Sequence, residues 1–316
     1  TPKAEAVVNP NQLGCEFPSK ALAGVGVAFY LLANLSSHRA KNGKSTAKIT
    51  QYLDLVALGT YADVASLDYN NRILVDAGLK RIQQNLCRSG ISALLDIAGR
   101  DPASLKAQDL GFVIGPRINA AGRMETMDIG IECLLADDAS KAYALAQQLN
   151  DLNVERRQVE GKIKQEALVE LEKLEFDQQN LPAALVMFEE HWHQGVIGIV
   201  AGRLKEQFHR PAIVFAADED GVHIKGSARS IDGIHIRDSI ELVAEQHPHL
   251  ISHFGGHAAA AGLTVKKEHF SEFKTVFEKL VSSMDDALFQ SVLWTDGVLS
   301  AEAIQLNTVD LLQNLA

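Results

Sequence analysis

The chain has 316 residues, with 40 acidic against 30 basic side chains and a net charge of −10. That balance excludes a protein that wraps nucleic acid by bulk positive charge, so any phosphate site must be a local patch. The 47% hydrophobic content, with 23 glycines and 8 prolines, excludes a disordered or collagen-like chain, and no apolar run approaches the roughly 18 residues of a membrane span.

The length suits two domains and part of a third. Cys15, Cys87 and Cys133 are far apart and read as small apolar fillers in a reducing cytoplasm, not as a zinc ribbon or redox motif. Thr1 is not an initiator methionine, and the last residues read as a helix cut short, so a fragment or a processed product is expected.

Residues 1–18 are extended and turn-rich, with Ala6-Val7-Val8 strand-like and a turn at Asn9-Pro10-Asn11. Ser19 is placed to cap a helix over 21–35. Within it, Gly24-Val25-Gly26 lacks the third glycine of a dinucleotide fingerprint, because Phe29 stands there, and reads as close helix packing. A polar, basic loop follows over 36–48. Residues 49–58 are a helix or a buried strand, ended by Gly59-Thr60, and 61–72 show little regular pattern. Helices are expected over 73–84 and 91–98, and another over 104–115 that stops at Gly115-Pro116.

From 138 to 175, Ala142, Leu145, Leu149, Leu152, Val159, Ile163, Ala167 and Leu171 keep helical spacing. This is one long helix or two in series, read as a solvated bridge between domains. Beyond it, strands at 183–188, 211–216, 222–227 and 263–265 alternate with helices at 195–208, 236–246 and 270–284. Such alternation specifies an α/β domain. A new segment begins near Ser291, with a turn at Asp296-Gly297.

Five strings carry candidate chemistry. In 58–64, Asp63 follows an apolar segment and a small-residue bend. A carboxylate there can hold Mg²⁺ or Mn²⁺, although on its own it reads first as a helix cap or surface group. In 115–123, Arg117, Asn119 and Arg123 stand among small residues, as an anion-binding loop or a domain-junction salt bridge. His191 and His193 are half of a metal site, or His193, beside Gln194 at a helix start, contacts substrate; the second reading is favoured. In 225–230, Ser227 and Arg229 point the same way on an extended chain. A hydroxyl and a guanidinium so placed suit a terminal phosphate, the alternative being an exposed basic edge strand. In 253–262, Gly255-Gly256-His257 either lets a ligand approach the backbone beside a histidine donor, or forms a tightly packed loop.

In this order, the five strings resemble the RecJ single-stranded-DNA exonucleases of the DHH phosphoesterase superfamily, over about residues 1–300. The resemblance implies two α/β domains joined by a long helix. Residues 1–135 would be the C-terminal part of the DHH catalytic domain, 136–178 the connector, 179–290 the DHHA1 substrate-binding domain and 291–316 the start of an oligonucleotide-binding (OB) fold. It implies hydrolysis of DNA from a 5′ end to 5′-mononucleotides, in cytoplasmic DNA repair and recombination, with two Mn²⁺ or Mg²⁺ ions activating water.

By the same resemblance, Asp63 is a metal ligand and catalytic residue. Ser227 and Arg229, with Ser230, form the terminal-phosphate pocket. Arg117, Asn119, Arg123 and His193 line the substrate path, and Gly255, Gly256 and His257 face a nucleotide. Single-stranded DNA with a 5′ end is the implied partner, a single-strand-binding protein or helicase a further one, and no membrane is involved. The family's earlier motifs, an Asp-x-Asp string and an Asp-His-His triplet, have no counterpart before Asp63. The expectation is therefore a fragment that does not hydrolyse DNA alone. Two other readings stand beside this one: a DHH-type phosphodiesterase acting on short oligonucleotides or cyclic dinucleotides, and a non-catalytic single-strand-binding or scaffold protein.

Overall fold

The structure, a computed structural model, describes residues 4–173 and 181–314. Pro2 and the connector's expected end at 174–178 lie outside the described residues. The chain divides into two compact units, Thr1–Val154 with Asn307–Ala316, and Glu155–Leu306. No helix among the described residues is long and apolar enough to cross a membrane.

The first unit is built from helices α1 (Gly24–Lys41), α2 (Leu53–Ala62), α3 (Tyr69–Gln83), α4 (Ser89–Ile97), α5 (Ala107–Asp109), α6 (Gly115–Met124), α7 (Asp128–Leu135) and the start of α8 (Ala139–Lys173). Its core gathers Ala57, Leu58, Ile82, Ile91, Leu94, Leu110, Ile114 and Leu149. Ala6-Val7-Val8 pairs with no strand. Ser19 does not cap α1, which starts later, after Ala23. Its hydroxyl instead donates to Asp68 Oδ2 at 2.7 Å. Asp68 in turn caps α3 by accepting the Asn71 N–H at 2.8 Å, so that helix begins earlier than the polar sequence implied.

Residues 49–58 form a short 3₁₀ turn followed by α2, not a strand, and α2 continues through Gly59-Thr60 to Ala62. A β-carbon at Gly59 would lie 2.7 Å from Val25 Cγ1, so this glycine serves helix packing and not termination. Gly115-Pro116 does not close a helix: α5 widens into a π-helical turn over Leu110–Ile114 that runs without a break into α6. The wider π turn just before α6 accommodates a proline, which has no N–H to give to the helix ladder. The 115–123 string is therefore helical and not a loop. α8 is one unbroken helix of 35 residues, about 52 Å long.

The second unit carries the strands. After α8 come β1 (Leu185–Phe188), α9 (Gln194–Phe208), β2 (Ala212–Ala217), β3 (His223–Arg229), α10 (Ile236–Gln246), β4 (Ile251–Gly256), β5 (Ala260–Lys266) and α11 (Phe270–Ser282). The sheet order is β1-β2-β3-β5-β4, with β1 and β2 parallel and the other neighbours antiparallel. α10 and α11 cover one face through Ile236, Ile240, Val243, Phe273 and Phe277, against Ile213, Phe215, Ile224, Ala228 and Leu263. α9 packs on β2 and β3 from the other face. Beyond this unit, α12 (Leu306–Asn314) follows a stretch without strands. The mixed α/β class matches expectation, and β4 is the strand the sequence did not disclose.

Candidate nucleic-acid interface

Alternation along β3 sends Ile224, Gly226 and Ala228 inward and His223, Lys225, Ser227 and Arg229 to the α9 side. Two cross-strand rows follow from the register. One runs Val214, Ser227, Gly262, Gly255; the other runs Ala212, Arg229, Ala260. Ser227 and Arg229 therefore border a floor almost free of side chains. A β-carbon at Gly255 would meet nothing within 4 Å, and one at Gly262 only the Gly226 carbonyl at 3.9 Å. Any ligand resting there touches backbone.

α9 supplies the wall. A β-carbon on Gly198 would stand 2.8 Å from Ser227 Oγ and 3.0 Å from Arg229 Nη2, so the helix can approach these two groups only because residue 198 has no side chain. Arg229 Nη1 donates to the Ala228 carbonyl at 2.8 Å and to Ser227 Oγ at 3.3 Å, which fixes the hydroxyl and the guanidinium as one unit. Ser230 has the opposite orientation: its hydroxyl is buried, with no hydrogen-bond partner among the described residues, and its N–H donates to the Ala259 carbonyl at 3.0 Å.

At the other end of the floor the β4–β5 turn is fixed by Gly256, whose φ of 150° places the Ala260 carbonyl 2.4 Å from where a β-carbon would sit. The His257 N–H donates to that carbonyl at 2.8 Å while the residue remains exposed. Thus 253–257 is a strand running into a hairpin, with the histidine at its open end.

His193 caps α9, its Nδ1 accepting the Gly195 N–H at 3.1 Å. An accepting ring nitrogen is unprotonated, so the neutral ring carries its proton on Nε2. Beside it, Gln194 Nε2 donates to the Ala217 carbonyl at 2.7 Å and to Asp218 Oδ1 at 3.3 Å. Asp218 Oδ1 also receives Lys225 Nζ at 2.9 Å. The Lys225 hydrogen bond holds the Asp218 carboxyl below its ordinary range, and the same bond pushes the ammonium up. His191 turns away: its Nε2 lies 2.8 Å from Glu166 Oε2 on α8, which also accepts the indole Nε1–H of Trp192 at 2.8 Å. The two histidines therefore do not share a metal.

In the first unit the predicted residues are more dispersed. Arg117 is half-buried, donating Nε to Asn150 Oδ1 at 3.1 Å and Nη1 to the Val113 carbonyl at 2.7 Å. Asn119 and Arg123 are exposed on α6. Two helix positions are about 200° apart, so Arg117 and Asn119 occupy different faces. Asp63 is exposed at the C-terminal end of α2, where helix carbonyls disfavour a carboxylate. The next residue, Val64, is exposed at φ 54°, a left-handed conformation that costs a β-branched side chain most. Val64→Gly is accordingly expected to stabilise the chain by about 1 kcal/mol, a rise measurable by urea unfolding; a loss of stability would show that the corner is not strained.

Among the described residues, no group of three or more His, Cys, Asp or Glu side chains is placed to hold a metal ion. Asp63 alone does not make a two-metal centre. The residues that sequence reasoning passed over are Gly198, Gln194, Asp218 and Gly262. The signal that could have found the first of them was glycine inside a helical pattern, which costs about 1 kcal/mol against alanine and so points to close packing.

Residues 181–283 match the family model of the DHHA1 domain. The chain is 48% identical over 319 residues to the single-stranded-DNA-specific exonuclease RecJ of Haemophilus influenzae, covering 99% of this chain and 55% of that protein. The crystal structure of RecJ in complex with Mg²⁺ from Thermus thermophilus matches with a TM-score of 0.70 at 32% identity, over 86% of this chain and 40% of that one. A crystal structure of exonuclease RecJ bound to manganese matches with a TM-score of 0.71 at 33% identity, over 88% and 66%. The chain thus spans about half the length of its curated relative. Over the stretch it spans, this chain is similar to the RecJ single-stranded-DNA-specific exonucleases, and its residues 181–283 match a DHHA1 domain.

Proposed function

We propose that the chain serves a single-stranded-DNA-specific 5′–3′ exonuclease that releases 5′-mononucleotides in DNA repair and recombination, and that these 316 residues bind and orient the 5′ end. In this reading, residues 1–135 are the C-terminal part of a DHH domain, 136–178 its connector, 179–290 the DHHA1 domain and 291–316 the start of an OB fold. The observation that carries the proposal is the Ser227–Arg229 pair beside the bare Gly255–Gly262 floor. Arg229 offers a fork of donors to a terminal phosphate, and Ser227 adds a hydroxyl. The floor lets the first nucleotide lie against backbone, flanked by His257 and His193. A 5′-hydroxyl end would bring no phosphate oxygen to that fork.

We assign Asp63 to a divalent cation, Mg²⁺ or Mn²⁺, which polarises a phosphodiester and activates water when bound. A strained corner carrying a carboxylate against the helix dipole fits a residue kept for a ligand and not for stability. Arg117, through Asn150, braces α6; Asn119 and Arg123 are its exposed contacts for the strand. A single-strand-binding protein or helicase as a further partner remains part of this proposal.

The test compares a 5′-phosphorylated single strand with its 5′-hydroxyl twin. The 316-residue chain is expected to prefer the phosphate by about tenfold or more, the worth of one charge-assisted contact. Arg229→Ala should abolish that preference, and no mononucleotide should be released with Mn²⁺ present. A preference that survives the substitution overturns the phosphate assignment. Release of nucleotides by the pure chain overturns the binding-only role.

A further inference from the structure

In the first unit, at the end of α2 opposite Asp63, the starts of α2 and α4 meet the end of α3 around a polar cavity of about 590 Å³. Tyr52, Asp54, Arg81, Cys87, Arg88 and Asp137 line it. Both arginines are held in place. Arg81 Nη2 donates to the Leu86 carbonyl at 2.7 Å, and the Arg88 guanidinium lies over the Tyr52 ring, 5.1 Å from its centroid. Yet the Nε of each is buried with no hydrogen-bond partner among the described residues. Each Nε is shut off from solvent, so an anion in the cavity would meet the outer Nη groups instead; of these only Arg81 Nη2 has a hydrogen-bond acceptor among the described residues, which leaves charged donors in the lining to be matched by oxygen.

The nearest carboxylate does not meet that demand. Asp54 is fully buried, and its two oxygens accept backbone N–H groups, Leu55 at 2.8 Å and Arg88 at 2.9 Å. It ties the start of α2 to the start of α4 and is occupied in doing so. α4 itself begins directly after Arg88, without a side-chain cap. Asp137 is exposed and limits the charge the cavity can accept.

We propose that this cavity binds a phosphate-class oxyanion, held by the guanidinium edges of Arg81 and Arg88 beside the uncapped start of α4. Two planar forks suit a tetrahedral anion with several oxygens better than a halide or a single carboxylate. A cavity of this size admits a nucleoside monophosphate as well as inorganic phosphate. The anion is either a free phosphate monoester or a diester in a DNA strand. The site stands independently of the exonuclease reading, because it uses none of the residues assigned to the 5′ end.

The test uses the 316-residue chain carrying Arg229→Ala, so that the β3 site contributes nothing. Inorganic phosphate and thymidine 5′-monophosphate are titrated by calorimetry, against chloride at equal ionic strength. One saturable site is expected, weakened about tenfold by Arg81→Gln or Arg88→Gln, the loss of one charge-assisted pair. Arg88→Lys keeps the charge and removes the forked edge; a severalfold loss is expected there, and it serves if a glutamine variant does not fold. A 5′-hydroxyl oligonucleotide, which carries only diesters, identifies the source. Displacement of phosphate by it supports a strand-binding site, and phosphate binding that it leaves unchanged supports a free-phosphate site. Absence of saturable phosphate binding, or binding equal in all three arginine variants, overturns the proposal.

Discussion

Gly198→Ala is expected to erase most of the discrimination between 5′-phosphate and 5′-hydroxyl strands while leaving the protein folded. The added methyl would sit 2.8 Å from Ser227 Oγ and 3.0 Å from Arg229 Nη2. Neither atom belongs to the backbone. A serine hydroxyl can rotate and a guanidinium can swing, so the overlap is relieved cheaply and the thermal midpoint should change by only a few degrees; alanine also suits a helix better than glycine. The relief moves the two groups that define the phosphate site. A shift of about 1 Å in a charge-assisted contact is enough to lose about tenfold or more in affinity. Unchanged phosphate preference in a folded Gly198→Ala chain would mean that Ser227 and Arg229 do not act together.

The largest loss of stability is expected on the other face of the same sheet. Phe215 is fully buried and meets Phe270 and Phe273 edge-on, at centroid distances of 5.7 and 5.6 Å. Its ring also fills the space above Gly226 on β3, where a β-carbon would come within 2.5 Å of it. Phe215→Ala should cost about 3–5 kcal/mol, from lost transfer energy and the cavity left between α11 and the sheet. For a unit of this size that corresponds to a fall of about 10 °C in the thermal midpoint. Below its lowered midpoint the variant should still prefer a 5′-phosphate, because Ser227 and Arg229 project from the opposite side of β3. A loss smaller than about 1 kcal/mol would contradict the packing described.

Local patterns carried much of this. β3 reads directly from sequence: Ile224 and Ala228 against Lys225, Ser227 and Arg229 is a two-residue period, and it already paired the hydroxyl with the guanidinium. α10 was legible to the residue, and α8 as one of two options. β4 was not, because Ile251-Ser252-His253-Phe254-Gly255-Gly256 has two large apolar residues and ends on two glycines, a poor strand composition that only pairing with β5 rescues. The approach of Gly198 to Ser227 joins a helix to a strand far along the chain, and no local rule encodes it. Gly115-Pro116 shows a different gap. The dipeptide reads as a helix stop, and only the π turn before it lets the helix run through. The resemblance to a family supplied roles for Asp63 and His257 that the residues alone left open.

The bare floor has a consequence for pairing fidelity. Strand register is ordinarily enforced by side chains, because a slip of one residue turns every inward group outward. β4 is an edge strand, and over Gly255 and Gly256 it has nothing to turn; its partners there are Gly262 and Ala261. What remains to hold the alignment is Phe254, packed against the core opposite Leu263, and buried Ile251 beyond an irregularity at His253. The openness that lets a nucleotide reach backbone therefore leaves the alignment of this hairpin resting largely on one phenylalanine.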